Sequence, residues 1–153
     1  MKKIFKELIQ KINNNSNIKI KNEDYIVKTK TWYSIEEDDN VKYIKCELSN
    51  NKVLVIIPDD ELIYIGKIVN NMNYRKISDT EIIFNNIIFH KTGEGHQYII
   101  NVDFGKLEDV EGKCIFEDYE SDNYIISLGI LSEKTNIRAN VLADILSIED
   151  IKI

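Results

Sequence analysis

The chain of 153 residues is short of the residues that usually announce a chemistry: one Pro, one Trp, two His, two Cys and six Gly. Each shortage excludes something. Cys46 and Cys114 lie in neither a Cys-x-x-Cys nor a zinc-ribbon spacing, which argues against a secreted disulfide scaffold and a structural zinc site. Two free, buried thiols in a reducing cytoplasm are the expectation, with a disulfide between them the alternative. The few glycines form no Walker loop, dinucleotide fingerprint or Gly-x-Ser-x-Gly elbow. The longest apolar run, Val53 to Ile57, is far below the roughly 18 residues of a membrane-spanning helix. Lys2, Lys3, Lys6 and Lys11 are scattered rather than gathered ahead of an apolar run, unlike a secretory signal. Positive charge is also in deficit. Twenty Lys and Arg face 26 Asp and Glu, for a net charge of −6. That balance argues against nonspecific nucleic-acid binding and against an anionic membrane surface.

What is abundant is β-branched. There are 29 Ile and 8 Val against 9 Leu and 2 Ala. Helices favour Ala and Leu, whereas Ile and Val suit a half-buried pleated surface. A single domain over 1–153 is expected, large enough to bury about two-thirds of its unfolded surface without a metal or disulfide.

The chain opens on a short helix. Ile4, Phe5, Leu8, Ile9 and Ile12 form one apolar stripe that ends in Asn13-Asn14-Asn15-Ser16-Asn17. Strand patterns follow. Tyr25, Val27, Thr29, Thr31 and Tyr33 alternate with Lys28, Lys30 and Ser34, and Glu36 to Asn40 make a turn. Val41 to Leu48, Lys52 to Ile57 and Leu62 to Val69 read as further strands, and Asn70 to Asp79 as a linker. The second half reads as Glu81 to Lys91, a turn at Thr92-Gly93-Glu94-Gly95, and a return through His96 to Phe104. Lys113 to Tyr119 and Tyr124 to Leu131 make a hairpin. Ile137, Val141, Leu142 and Ile145 have helical spacing with Asn136 as N-cap, and Ile148 to Ile153 form a last short strand.

The halves 18–69 and 81–131 resemble one another. Lys45-Cys46-Glu47-Leu48 matches Lys113-Cys114-Ile115-Phe116, and Val53-Leu54 after a polar turn matches Ile125-Ile126 after another. A duplicated antiparallel meander is therefore expected, closing into a barrel or a two-sheet sandwich, with a short helix at each end of the chain. Asp24 to Ile65, together with Phe116-Glu117-Asp118-Tyr119-Glu120-Ser121, resembles a small bacterial family known only as a domain of unknown function. Its members pair a Tyr-containing first strand with a later aromatic-acidic hairpin. The resemblance covers about two-thirds of the chain. It implies a β-rich cytoplasmic bacterial protein and carries over no catalytic residue.

His90, Glu94 and His96 are the only cluster suited to a transition metal. A three-residue loop with Gly95 left-handed puts both histidines on one face, about 7 Å apart. A two-residue loop puts them on opposite faces. Asp118, Glu120 and Asp122 mimic the first ligands of a calcium loop, but Asn123 and Gly129 stand where an EF-hand needs Gly and Glu. They remain candidates for partner contact. Trp32 and Tyr33 are also candidates for ligand or partner contact; Trp32 falls on the face opposite Tyr33, either packing under the N-terminal helix or anchoring a contact. No catalytic residue and no cofactor is singled out. The expectation is a non-enzymatic module, monomeric or homodimeric, that binds a protein or a small ligand in its barrel mouth. An acidic immunity or antitoxin-type protein neutralising a basic partner is the alternative, and a metal-dependent enzyme the third.

Overall fold

A computed structural model describes residues 3–69, 71–106, 113–132, 137–138 and 140–153. The chain begins with helix α1 (Lys3–Lys11) and the strands β1 (Asn17–Ile20), β2 (Glu23–Ile26), β3 (Lys30–Ile35), β4 (Asp38–Glu47), β5 (Lys52–Ile57) and β6 (Leu62–Ile68). It continues with β7 (Arg75–Ser78), β8 (Glu81–Phe84), β9 (Ile87–Phe104), β10 (Lys113–Glu120) and β11 (Tyr124–Ser132). The last strands are β12 (Ile137–Arg138), β13 (Val141–Leu146) and β14 (Ile151–Lys152). No helix among the described residues is long and apolar enough to cross a membrane.

Eight strands close into an antiparallel barrel in the order β3-β4-β5-β6-β13-β11-β10-β9, with β9 returning to β3. Two four-stranded meanders thus meet along the β6–β13 and β9–β3 seams. Of the segments matched in sequence, Cys46 and Cys114 fall on the second strand of each meander, and Val53 and Ile125 on the third. The facing agrees only in part. Val53 and Ile125 share the inner cluster, whereas Cys46 lies in the outer one and Cys114 lines the interior. Neither cysteine forms a disulfide, and both are buried.

Appendages cover two outer faces of the barrel. Helix α1 and the small β14-β1-β2 sheet bury the outward residues Ile44, Cys46, Leu54, Ile56, Ile63 and Ile65. The β7–β8 hairpin and the first turn of β9 bury Tyr119, Ile126 and Leu128 against Ile82, Phe89 and Met72. With both faces of the wall covered, β5 loses alternation and reads as the unbroken run Val53 to Ile57. Scarcity of glycine is met by asparagine. Hairpins β1–β2 and β8–β9 turn on Lys21-Asn22 and Asn85-Asn86, all four with positive φ between 48° and 69°. Positive φ at both central residues defines the turn that matches strand twist, and Asn tolerates it.

Two expected elements are not formed. The stretch with helical spacing near the C-terminus is strand: Val141 to Leu146 pair with β6 on one side and β11 on the other. Val141, Ala143 and Ile145 fill the barrel while Leu142 and Leu146 pack outside, so a period of two serves the same residues as well as 3.6. The proposed N-cap Asn136 lies outside the described residues. The turn at Thr92 to Gly95 is likewise absent. The backbone runs straight through it as β9, pairing with β8, then β10, then β3.

Candidate functional site

Alternation along the barrel strands sends Tyr43, Lys45 and Glu47 inward while Ile44, Cys46 and Leu48 pack outward under α1. The inward faces enclose a cavity of about 950 Å³. Val53, Val55, Tyr64, Phe116 and Val141 supply its apolar wall. Ile35, Ile57, Leu62 and Ile145 pack with the inner cluster toward the closed end, where the β3–β4, β5–β6 and β10–β11 turns lie. The opposite end is the mouth. There Lys28, Lys52, Lys67 and Lys106 stand with Asn50 and Asn51.

Lysines gather at the mouth of this acidic chain's barrel. Among the described residues, the charged ones lining the cavity are five lysines, the four at the mouth and Lys45 within, against one carboxylate, Glu47. Lys52 and Lys67 are direct cross-strand partners, a like-charge placement that costs stability in a sheet. Among the described residues none of the five has an ion-pair partner within reach. Residues 107–112, with Glu108, Asp109 and Glu111, lie outside the described residues.

Lys45 sits one pair deeper than Glu47, at the level of Val55 and Tyr64. Its Nζ lies 5.1 Å from the centre of the Tyr33 ring, in cation–π range. The cavity is wide enough to leave the ammonium some accessible surface, but the barrel wall surrounds it. Burial pulls its pKa below the usual lysine value, opposed by the nearby Cys114, Asp118 and Glu47. Tyr33 stacks on Tyr43, with centroids 5.5 Å apart. The Tyr43 hydroxyl donates to Gln97 Oε1. Burial pushes Tyr33 up to about 12 and Tyr64 well above the usual phenol value, so both hydroxyls remain protonated donors at neutral pH. Below them Asp118 accepts a 2.6 Å hydrogen bond from Ser127. Burial raises this carboxyl to about 6, against the opposing pull of Ser127 and Lys45.

The residues singled out from sequence are distributed unevenly around this cavity. Tyr33 lines it. Asp118 reaches into the barrel, and Glu120 follows two residues along the same strand face, its pKa raised first by burial and then by Asp60. Asp122 is exposed in the β10–β11 turn. Trp32 is no free anchor. It packs against the outer core beneath α1, and its indole N–H donates to Asp103 at 3.0 Å. Asp103 also faces the buried Lys30 at 3.4 Å, whose Nζ donates to the Ile9 and Ile12 carbonyls at the end of α1. The Asp103 carboxylate is thus part of a helix latch.

His90 and His96 are not brought together. They stand six residues apart on β9, roughly 20 Å at the rise of an extended strand. His90 Nδ1 lies 3.5 Å from Glu81, and His96 Nδ1 2.7 Å from Glu37. The Glu37 carboxylate also accepts the His96 backbone N–H, which together with the ring holds its pKa low. This contact ties the β3–β4 turn to β9. Glu94 pairs with Lys91 at 3.1 Å. Lys45 and Tyr64 were missed in the sequence. Their signal was an alternation whose polar face reads as solvent when it faces a lumen. No family model, curated protein or solved structure matches the chain.

Proposed function

We propose that the protein is a non-enzymatic binding module that holds a small molecule inside its barrel. One observation carries this reading: the closed wall surrounds a cavity of about 950 Å³. That volume falls at the upper end of the range for small-molecule sites, and an apolar wall with a few placed polar groups is their usual lining. A binding module also fits the polar residues inside, which would weaken a barrel whose only task was to fold. Differential scanning fluorimetry with a library of amphipathic small molecules tests the proposal. At least one should raise the melting temperature in proportion to the logarithm of its concentration. Val55→Trp, which fills the cavity from a buried wall position, should abolish that rise. A library without a single stabilising member, or a rise that survives Val55→Trp, would remove the proposal.

A second reading is favoured by the other end of the molecule. Glu36, Glu37, Asp38 and Asp39 border an open depression of about 600 Å³ beside Tyr98. Asp59, Asp60 and Glu61 lie in the neighbouring turn at the same end. Clustered acids speed encounter with a cationic protein and discriminate among partners. On this reading the chain neutralises a basic protein. Such a partner should co-purify at low salt, dissociate at high salt, and be lost when Glu36, Asp38 and Asp39 are replaced together.

A further inference from the structure

We infer that the ligand is an amphipathic monoanion, a chain-like carboxylate whose head is held by Lys45 and whose apolar body lies between Lys45 and the mouth. This rests on the barrel being a ligand site and names what the site selects.

The argument starts from unmet donors. Among the described residues no oxygen accepts a hydrogen bond from Lys45 Nζ, and the hydroxyls of Tyr33 and Tyr64 have no partner either. All three open into one cavity. An enclosed ammonium with no fixed acceptor bears a desolvation cost that a surface lysine escapes. A carboxylate would supply the missing acceptor. The four mouth lysines give the same preference at longer range. A charged rim raises the local concentration of an opposite charge and speeds its entry.

The opposing charges set the valence. Glu47 stands one pair nearer the mouth and Asp118 behind Lys45, and both raise the lysine's proton affinity. Two carboxylates around one ammonium disfavour a second negative charge on the head. A monoanion is therefore preferred over a phosphate monoester, which carries more than one charge at neutral pH. The body of the ligand meets Val53, Phe116 and Val141, which line the cavity on the mouth side, and Ile68 at the entrance. The polar end is thus inside and the apolar end outward, with the entrance lysines alongside the chain on their flexible stems.

Calorimetric titration of the whole chain with dodecanoate, dodecanol and dodecyltrimethylammonium tests this at low salt and below micelle formation. Dodecanoate should bind roughly tenfold more tightly than dodecanol, the scale of one charge-assisted hydrogen bond, and the ammonium weakest of all. Lys45→Met should bring dodecanoate down to the dodecanol value and leave dodecanol unchanged. This variant removes an enclosed charge, so it should melt no lower than the native chain. Equal binding of acid and alcohol, or tighter binding of the ammonium, would overturn the inference while leaving the barrel a ligand site. A preference for dodecanoate that survives Lys45→Met would overturn the assignment of Lys45. If none of the three binds, it is the reading of the barrel as a binding site that fails.

Discussion

At the scale of residues, the interior is paid for in stability, and Asp118 shows how. Its carboxyl titrates at about 6 in the fold against 3.8 in a free chain, chiefly through burial. The folded state therefore binds its proton more tightly than the unfolded state does. Unfolding free energy falls as pH rises from about 4 to about 6, and the loss is complete above the folded value. Asp118→Asn keeps an acceptor for Ser127 and removes the ionisation. It should stabilise the protein at pH 7.5 by on the order of 2 kcal/mol and hardly at all at pH 4. Denaturant melts at the two pH values measure the difference, and an equal effect at both would refute the account. Asp118 was visible in the sequence as one of an acidic trio. Its burial was not, because Asp118, Glu120 and Asp122 alternate toward a turn and the sequence carries no sign that the first two point into a lumen. Lys45 was hidden for the same reason. On β4 the apolar set Ile44, Cys46 and Leu48 is the plain mark of a core face, and that mark is correct. What the pattern leaves out is that the core lies outside the barrel, under α1.

Elements are held by contacts that local pattern does not report. The apolar stripe of α1 was legible, since Phe5, Leu8, Ile9 and Ile12 are all buried where their spacing puts them. Its attachment point was not. Lys30, one of the alternating polar residues of β3, is only 7% exposed and donates 2.8 Å and 3.3 Å hydrogen bonds to the last carbonyls of the helix. Ile9 already accepts the Ile12 N–H at 3.2 Å and takes Lys30 as a second donor, and a cation there also meets the negative end of the helix dipole. Lys30→Met keeps the stem and removes the ammonium. It leaves the Ile12 carbonyl without its donor, the Ile9 carbonyl with the Ile12 N–H alone, and Asp103 bonded to Trp32 and Asn101 alone. A loss of about 1–3 kcal/mol is expected. Amide exchange locates it: residues 5–11 should exchange faster while β5 changes only through the global term. Uniform acceleration would show that the helix has no separate attachment. The misread C-terminal element teaches the converse. Val141, Leu142 and Ile145 satisfy a helical spacing and a strand alternation together, and the open edge of β6 decided between them. No window of six residues contains that edge.

At the scale of the whole molecule, closure depends on a seam between residues far apart in sequence. The β6–β13 pairing joins residues 63–68 to 141–146, so the last strand of the barrel is made from the end of the chain. This pairing explains why two meanders could be read from sequence but not the way they join. Each hairpin follows from turns and alternation nearby, whereas the order of strands round the barrel depends on which edges are left to pair. Gly66 marks how tightly the seam is drawn. A Cβ built there would lie 2.5 Å from the Leu142 carbonyl oxygen and 2.6 Å from the Ala143 Cβ. The first obstacle is backbone, which cannot rotate away, so the strands would have to part. Gly66→Ala should therefore cost about 1–3 kcal/mol, the scale of overpacking, despite the gain Ala usually brings by restricting the unfolded chain. The damage should spread beyond the site. Separating β6 from β13 exposes two strand edges, and such edges recruit other chains. Light scattering during a thermal ramp should show earlier aggregation for Gly66→Ala than for Gly93→Ala, where an added Cβ meets nothing within 4 Å. Matching onsets for the two variants would mean that the barrel stays closed without this close approach.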